Sequence, residues 1–165
     1  MSGFPKLIPA FTARIAIEPP TPISPNLIHV PFVPSLGSLI SEPSYPIKLN
    51  APILHGADYI TTQPDGKTVK LEVQSVAKDA PTGATIRFNY TGTVSLLGAA
   101  GKVLKGDPSA ATTDFGEAFI HPVFQTGGVP ELAELANKTY VGSGRFILEE
   151  GRPVIVEYKI SEVVA

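Results

Sequence analysis

The chain has 165 residues, 43% of them hydrophobic and 17% charged, with a formal net charge of −2 and no cysteine. That length suits one domain with a sizeable buried core, and the hydrophobic content excludes disorder over most of it. The weak charge excludes the electrostatic footprint of a nucleic-acid or anionic-membrane binder, and the missing thiols exclude disulfides, cysteine nucleophiles and thiolate metal sites.

The first residues, "MSGFPKLIPAFTARIAIEPP", lack the basic start, unbroken apolar stretch and small-residue cleavage site of a secretory leader. No apolar run approaches the roughly 20 residues of a spanning helix, so a cytoplasmic protein is expected. Twelve of the 17 prolines fall in residues 1–64. Each fixes φ and removes a backbone donor, so this third holds short strands and a partly extended, Pro-rich arm over 1–35, not a long helix. Strands are expected at 8–18, 27–33, 36–41 and 53–62. "PDGK" (64–67) is a turn, with Pro presetting φ, Asp bonding the local backbone and Gly taking positive φ. "KTVKLEVQSV" then alternates Val69, Leu71 and Val73 against Lys70, Glu72 and Gln74, the period of a half-buried strand. After the turn cluster "KDAPTGA", "TIRFNYTGTVSLL" alternates again. Residues 98–114 read as a flexible surface loop, 115–124 as a strand and 129–138 as a short helical stretch. Strands at 138–148 and 152–163 complete the chain.

About eight or nine strands at roughly ten-residue spacing point to an all-β protein. The expected fold is a single antiparallel β-barrel over residues 1–165, with at most one short helix, because closure removes exposed strand edges. A barrel of that size encloses packed side chains or one small ligand.

Several spaced motifs follow in order: "HGADY" followed by "PDG", then "DAPTGATIRFNYTG", "HPVFQTG", "YVGSGR" and a last strand "VIVEYKI". In this order and spacing the sequence resembles domain of unknown function 3237, a family of small bacterial and fungal proteins, from about Phe11 to Val163. The resemblance implies a small antiparallel β-barrel with no catalytic mechanism common to the family. The position of some fungal members near specialised-metabolite genes implies small hydrophobic substrates. This chain departs from the family pattern at several places. It has His55-Gly56-Ala57-Asp58-Tyr59 where the family usually reads Gly-Gly-Ala-Asp-Trp, and Phe124-Gln125-Thr126-Gly127 where it reads Phe-Glu-Thr-Gly. Glu131 to Asn137 replaces an aromatic-rich stretch, and Leu71-Glu72-Val73-Gln74 lacks the usual arginine.

Asp58 has two readings. A carboxylate buried in an apolar barrel has its pKa raised by desolvation, which suits general acid or base work. It could equally accept backbone amides and pin a bulge made possible by Gly56. Strict alternation puts His55, Ala57 and Tyr59 on one face and Asp58 on the other, so His55 and Tyr59 are the lumen pair if Ala57 faces inward. His29, His55 and His121 each sit in a strand, but no short ligand spacing supports a metal site and none is expected. The glycines of "VGSGR" and "GAAGK" match neither a serine elbow nor a phosphate loop.

A mostly apolar lumen with a few polar anchors remains. The catalytic candidates are His55, Asp58, Tyr59 and His121, and the substrate-binding candidates are Arg87, Asn89, Phe124 and Gln125. Arg87 and Glu157 could instead form a solvent-facing cross-strand ion pair, and Phe124 could be plain core. The expected function is a cofactor-independent cyclase, isomerase or dehydratase acting on a small apolar metabolite, because confinement in a near-attack geometry supports such reactions. A non-catalytic carrier and an interaction module are the alternatives. The low charge fraction favours a homodimer in each case.

Overall fold

The alternation read from the sequence is carried through in the wall of the molecule. In the computed structural model, which describes residues 2–165, Val69, Leu71, Val73, Ser75 and Ala77 point inward and the residues between them point out. Ten strands form: β1 (Lys6–Ile17), β2 (Thr21–Ser24), β3 (Leu27–Pro31), β4 (Gly37–Ser41), β5 (Asn50–Thr62), β6 (Thr68–Lys78), β7 (Thr85–Ser95), β8 (Ala118–Thr126), β9 (Tyr140–Ile147) and β10 (Val154–Val164). All neighbours are antiparallel, in the order β2-β3-β5-β4-β1-β10-β9-β8-β7-β6. Pairing of β5 with β6 closes eight of the strands into a barrel, from which the β2–β3 hairpin projects.

One edge of β5 is shared by two short strands. β4 pairs with its first residues, Asn50 to Ile53, and β3 with its later ones, Ala57 to Thr61. A bridge between Ile17 and Phe32 ties β3 back toward β1. The proline-rich first third is thus built into the wall, with β1 paired to β10 along its whole length. β2 was not expected from the sequence, because Pro22 interrupts its pattern. It survives as an outer edge strand, where a missing N–H faces solvent.

Two connections differ from expectation. Residues 98–114 contain a helix, α1 (Ala99–Leu104), in which Ala100 and Gly101 are buried. The expected helical stretch at 129–138 is two single 3₁₀ turns, Pro130–Leu132 and Leu135–Asn137, tucked in by Leu132 and Leu135. Pro130 starts the first, and 3₁₀ turns of this length are common as connectors between strands.

The barrel interior is filled at one end. Phe11 meets Tyr45 at 5.1 Å and Tyr140 at 5.6 Å, Phe124 meets Tyr140 edge-on at 5.2 Å, and Phe88 stacks on Phe124 at 5.3 Å. Burying phenols requires partners. The Tyr45 hydroxyl donates to Glu162 Oε2 at 2.6 Å and lies 2.9 Å from the Tyr140 hydroxyl, while Lys138 Nζ donates to Glu162 Oε1 at 2.8 Å. Lys138 and Tyr45 together hold the Glu162 carboxyl below its usual range.

Candidate functional site

The other end of the lumen is not filled. A cavity of about 400 Å³ lies there, walled mainly by aliphatic and aromatic side chains, among them Ile17, Val30, Phe32, Ile60, Leu71 and Phe146. This lies within the range of small-molecule pockets, roughly 300–1,000 Å³. Val103 and Leu104 of α1 cover part of it, with Lys105 and Arg152 exposed at the rim. The segment read from the sequence as a free loop therefore forms a wall of the cavity. Glu117 anchors it: its Oε2 accepts the Ala100 N–H at 2.8 Å, satisfying a donor that the first turn of any helix leaves open.

Three polar side chains enter this apolar space: Asp58 from β5, Tyr90 from β7 and Tyr158 from β10. Around the ring of eight strands these lie two, three and three steps apart, so the side chains converge from well-separated parts of the wall. Asp58 and Tyr90 share one cross-strand row through Val73, putting their Cα atoms about 10 Å apart. Tyr158 comes from across the lumen, with its ring edge-on to Tyr90 at 5.3 Å. Gly144 makes room for it, since a Cβ there would overlap the Tyr158 ring. All three groups are nearly sealed from bulk solvent, at 8% exposure for Asp58, 4% for Tyr90 and 2% for Tyr158.

Burial sets their protonation. Desolvation pushes the Asp58 carboxyl up to about 7. The Glu72 N–H, donating to Asp58 Oδ1 at 3.1 Å, opposes this rise, and the Glu72 carboxylate adds to it. Desolvation likewise raises both phenols, with the Tyr158 phenol and Asp58 as further causes at Tyr90 and Asp58 at Tyr158, while a hydrogen bond from Tyr90 opposes the rise at Tyr158. At neutral pH the site holds two phenols that keep their protons and one carboxyl poised to gain or lose one.

His55, Ala57 and Tyr59 do share one face opposite Asp58, but it is Asp58 that points inward, which corrects His55 and Tyr59 as the lumen pair. The β5–β6 register slips between Ile53 and His55, so the bulge lies at Leu54 and not at Gly56. Past the slip, Gly56, Asp58 and Ile60 face inward, while His55 and Tyr59 face out, Tyr59 at 46% exposure. Gly56 has a packing reason instead: a Cβ there would come within 2.6 Å of both the Phe32 ring and Ser75 Cβ.

The remaining candidates do not reach the cavity. His55, Tyr59, Arg87 and Asn89 line a shallow groove on the outer wall, and His121 and Gln125 are also exposed there. Tyr59 packs against His29 at 5.1 Å. Asn89 repairs the β6–β7 ladder, its Oδ1 accepting the Ser75 N–H at 3.2 Å while the Ser75 hydroxyl donates to the Phe88 carbonyl. The expected Arg87–Glu157 pair does not form. Arg87 donates to Gln74 and Gln125, each at 3.0 Å. Glu157 is buried on the outer wall beneath Arg14 at 2.7 Å and Arg145 at 2.8 Å. Burial alone would push the Glu157 carboxyl up, but the two arginines hold it below its usual range. Phe124 belongs to the filled end of the lumen. Among the described residues no three His, Asp or Glu side chains cluster as metal ligands would, and no helix is long and apolar enough to cross a membrane.

A family described as "Protein of unknown function (DUF3237)" matches residues 5–163. The chain belongs to the DUF3237 family. Two solved structures share the fold across the whole DUF3237 barrel. One is a conserved protein of unknown function from Rhodopseudomonas palustris, with a TM-score of 0.75 and 20% identity over 99% of this chain and 100% of the other. The second, a protein of unknown function from Clostridium acetobutylicum, has a TM-score of 0.71 and 15% identity over the same shares. No curated protein matches the sequence.

Sequence reasoning passed over Tyr90 and Tyr158. Tyr90 occupies an inward position among core residues, and Tyr158 lies on a strand given no polar role beyond Glu157. The available signal was chemical: a phenol at an inward position of an apolar strand must find a partner or a wet cavity for its hydroxyl.

Proposed function

We propose that this protein is a cofactor-independent enzyme that moves a proton on a small, largely apolar metabolite bound in the barrel lumen. The observation that carries the reading is Asp58, a buried carboxyl on the wall of an apolar cavity of about 400 Å³, with its pKa raised to about 7. A general acid–base group works best when its pKa lies near the operating pH, and burial of a carboxyl is one way to put it there. Cyclisation, isomerisation and dehydration all need such a group and gain from confinement in a dry space. The cytoplasm is the proposed site of action, and a homodimer the proposed working form. Exposed apolar side chains on the outer wall, Leu7, Phe119 and Val123 among them, support the latter.

The test is to incubate the protein with a cytoplasmic metabolite extract and compare masses before and after. The expected result is one compound converted to an isomer, or to a product lighter by one water, by the native protein and not by Asp58→Asn. Retention of a compound in the lumen without conversion would make the protein a carrier.

A further inference from the structure

The three polar groups of the lumen have a chemistry narrower than acid–base work in general. Tyr90 and Tyr158 present hydroxyls from two different strands into one apolar space, and Asp58 presents the remaining polar group from a third. The Tyr90 phenol acts on that of Tyr158, so the pair offers the Tyr158 O–H, backed by Tyr90, to an oxygen that accepts a hydrogen bond and gains negative charge. In a dry site such donors act without reorganising, which makes them effective where charge develops. Glu18, Lys105 and Arg152 stand exposed at the mouth and the deeper wall is otherwise hydrocarbon, so the buried part of the substrate is as well.

Resting on the proposed proton-transfer function, we propose that the lumen binds a ketone or a similar carbonyl compound with a C–H next to the carbonyl, and enolises it. Asp58 is the base, and the Tyr158 hydroxyl, backed by that of Tyr90, holds the carbonyl oxygen. In the first step the C–H bond breaks, its proton goes to the Asp58 carboxylate, and its electron pair moves through the carbon framework onto the oxygen. In the second, the Asp58 carboxyl returns the proton. Return to the same carbon, once the carboxyl has traded its proton with water, gives exchange with solvent hydrogen. Return to the far carbon of a conjugated enolate moves a double bond, an isomerisation that balances with no other reactant. The near-neutral pKa of Asp58 fits this role, because the group must be charged to start each cycle and neutral midway through it. Gly144 is a positioning residue: without a side chain it leaves space for the Tyr158 ring, and so sets where that hydroxyl points.

The experiment uses two plain ketones as probes, 1-tetralone and the smaller cyclohexanone, in D2O, with naphthalene as the probe that has no carbonyl. Loss of the α-proton signal by NMR reports enolisation, and saturation transfer from protein to ketone reports binding. Ile60→Trp, which fills the cavity, identifies which binding belongs to the lumen. The expected result is exchange faster than in buffer, returned to the buffer rate by Asp58→Asn with ketone binding retained. Tyr158→Phe should slow it roughly a hundredfold, the low side of what one such donor supplies. Lumen binding of a ketone without exchange overturns the enolisation and leaves the lumen as a binding site, and exchange that survives Asp58→Asn overturns Asp58 as its base. If neither ketone nor naphthalene shows lumen-dependent saturation transfer, both the lumen function and the enolisation fall.

Discussion

Replacing Asp58 with Asn should stabilise this protein, and increasingly so as pH rises. The native fold holds the carboxyl where desolvation raises its pKa from the ordinary 3.8 to about 7. Below about pH 4 the group is protonated both folded and unfolded, and the fold loses nothing. Between the two values the native state binds more protons than the unfolded chain, so stability falls as pH rises. Above about pH 7 the loss is complete. At about 1.4 kcal/mol per pH unit, the difference is worth about 4 kcal/mol, a large share of the 5–15 kcal/mol typical of a domain. Asn keeps an oxygen to accept the Glu72 N–H but has no charge to bury. The neighbours facing Asp58 are the Glu72 carboxylate and the Tyr90 and Tyr158 phenols, and neither phenol ionises in this range. The assay is urea unfolding of both proteins from pH 4 to 8.5, followed by circular dichroism because the chain has no tryptophan. Other titrating groups cancel in the difference between the two curves. The difference should open by up to about 4 kcal/mol between pH 4 and 7 and then stay level. Parallel curves across the range would refute the buried, near-neutral carboxyl, and the proposed base with it.

Gly144→Ala places a methyl group against the Tyr158 ring and should cost about 1–3 kcal/mol in thermal or urea unfolding, as overpacked cores do. Gly56→Ala, against Phe32 and Ser75, should behave alike, whereas a Gly56 kept only for backbone freedom at a bulge would tolerate the change. Glu157→Gln leaves Arg14 and Arg145 facing each other on the outer wall, and should cost about 1–2 kcal/mol at pH 7 by urea unfolding. Because the folded carboxyl lies below its ordinary pKa, its contribution is present above about pH 4.5 and lost on acidification through the lowered value, so the variant should show a flatter acid limb. Tyr45→Phe removes the hydroxyl that donates to Glu162 at 2.6 Å, at a cost of about 1–2 kcal/mol in melting experiments. It lies at the filled end of the barrel and should leave ketone exchange unchanged.

The strands were legible because each wall residue either meets the lumen or meets water, and β6 writes that choice in alternate letters from Val69 to Ala77. Closure into a barrel followed from strand count and spacing, and the ordered motifs pointed to the family that matches. The direction of Asp58 was harder to read. Ile53 and Ile60 are seven positions apart, and an odd separation puts two residues on opposite faces unless the strand slips by one. Both are buried, so the slip was implied, but its place at Leu54 depended on β6 pairing alongside. That one residue sends Asp58 into the lumen and His55 and Tyr59 to the outside.

The meeting of Asp58, Tyr90 and Tyr158 could not be read from sequence at all. The three lie on strands β5, β7 and β10, and only closure of the barrel brings them to one space. Likewise, periodicity cannot tell a free loop from α1, since six residues carry too little pattern; its placement over the cavity depends on Glu117, contributed from beyond the helix. Local alternation, governed by burial at each position, was determined by the sequence alone. The emptiness of one end of the lumen, and the proton-holding chemistry gathered there, was decided by tertiary structure, because cavities and desolvation arise from how distant strands close on one another.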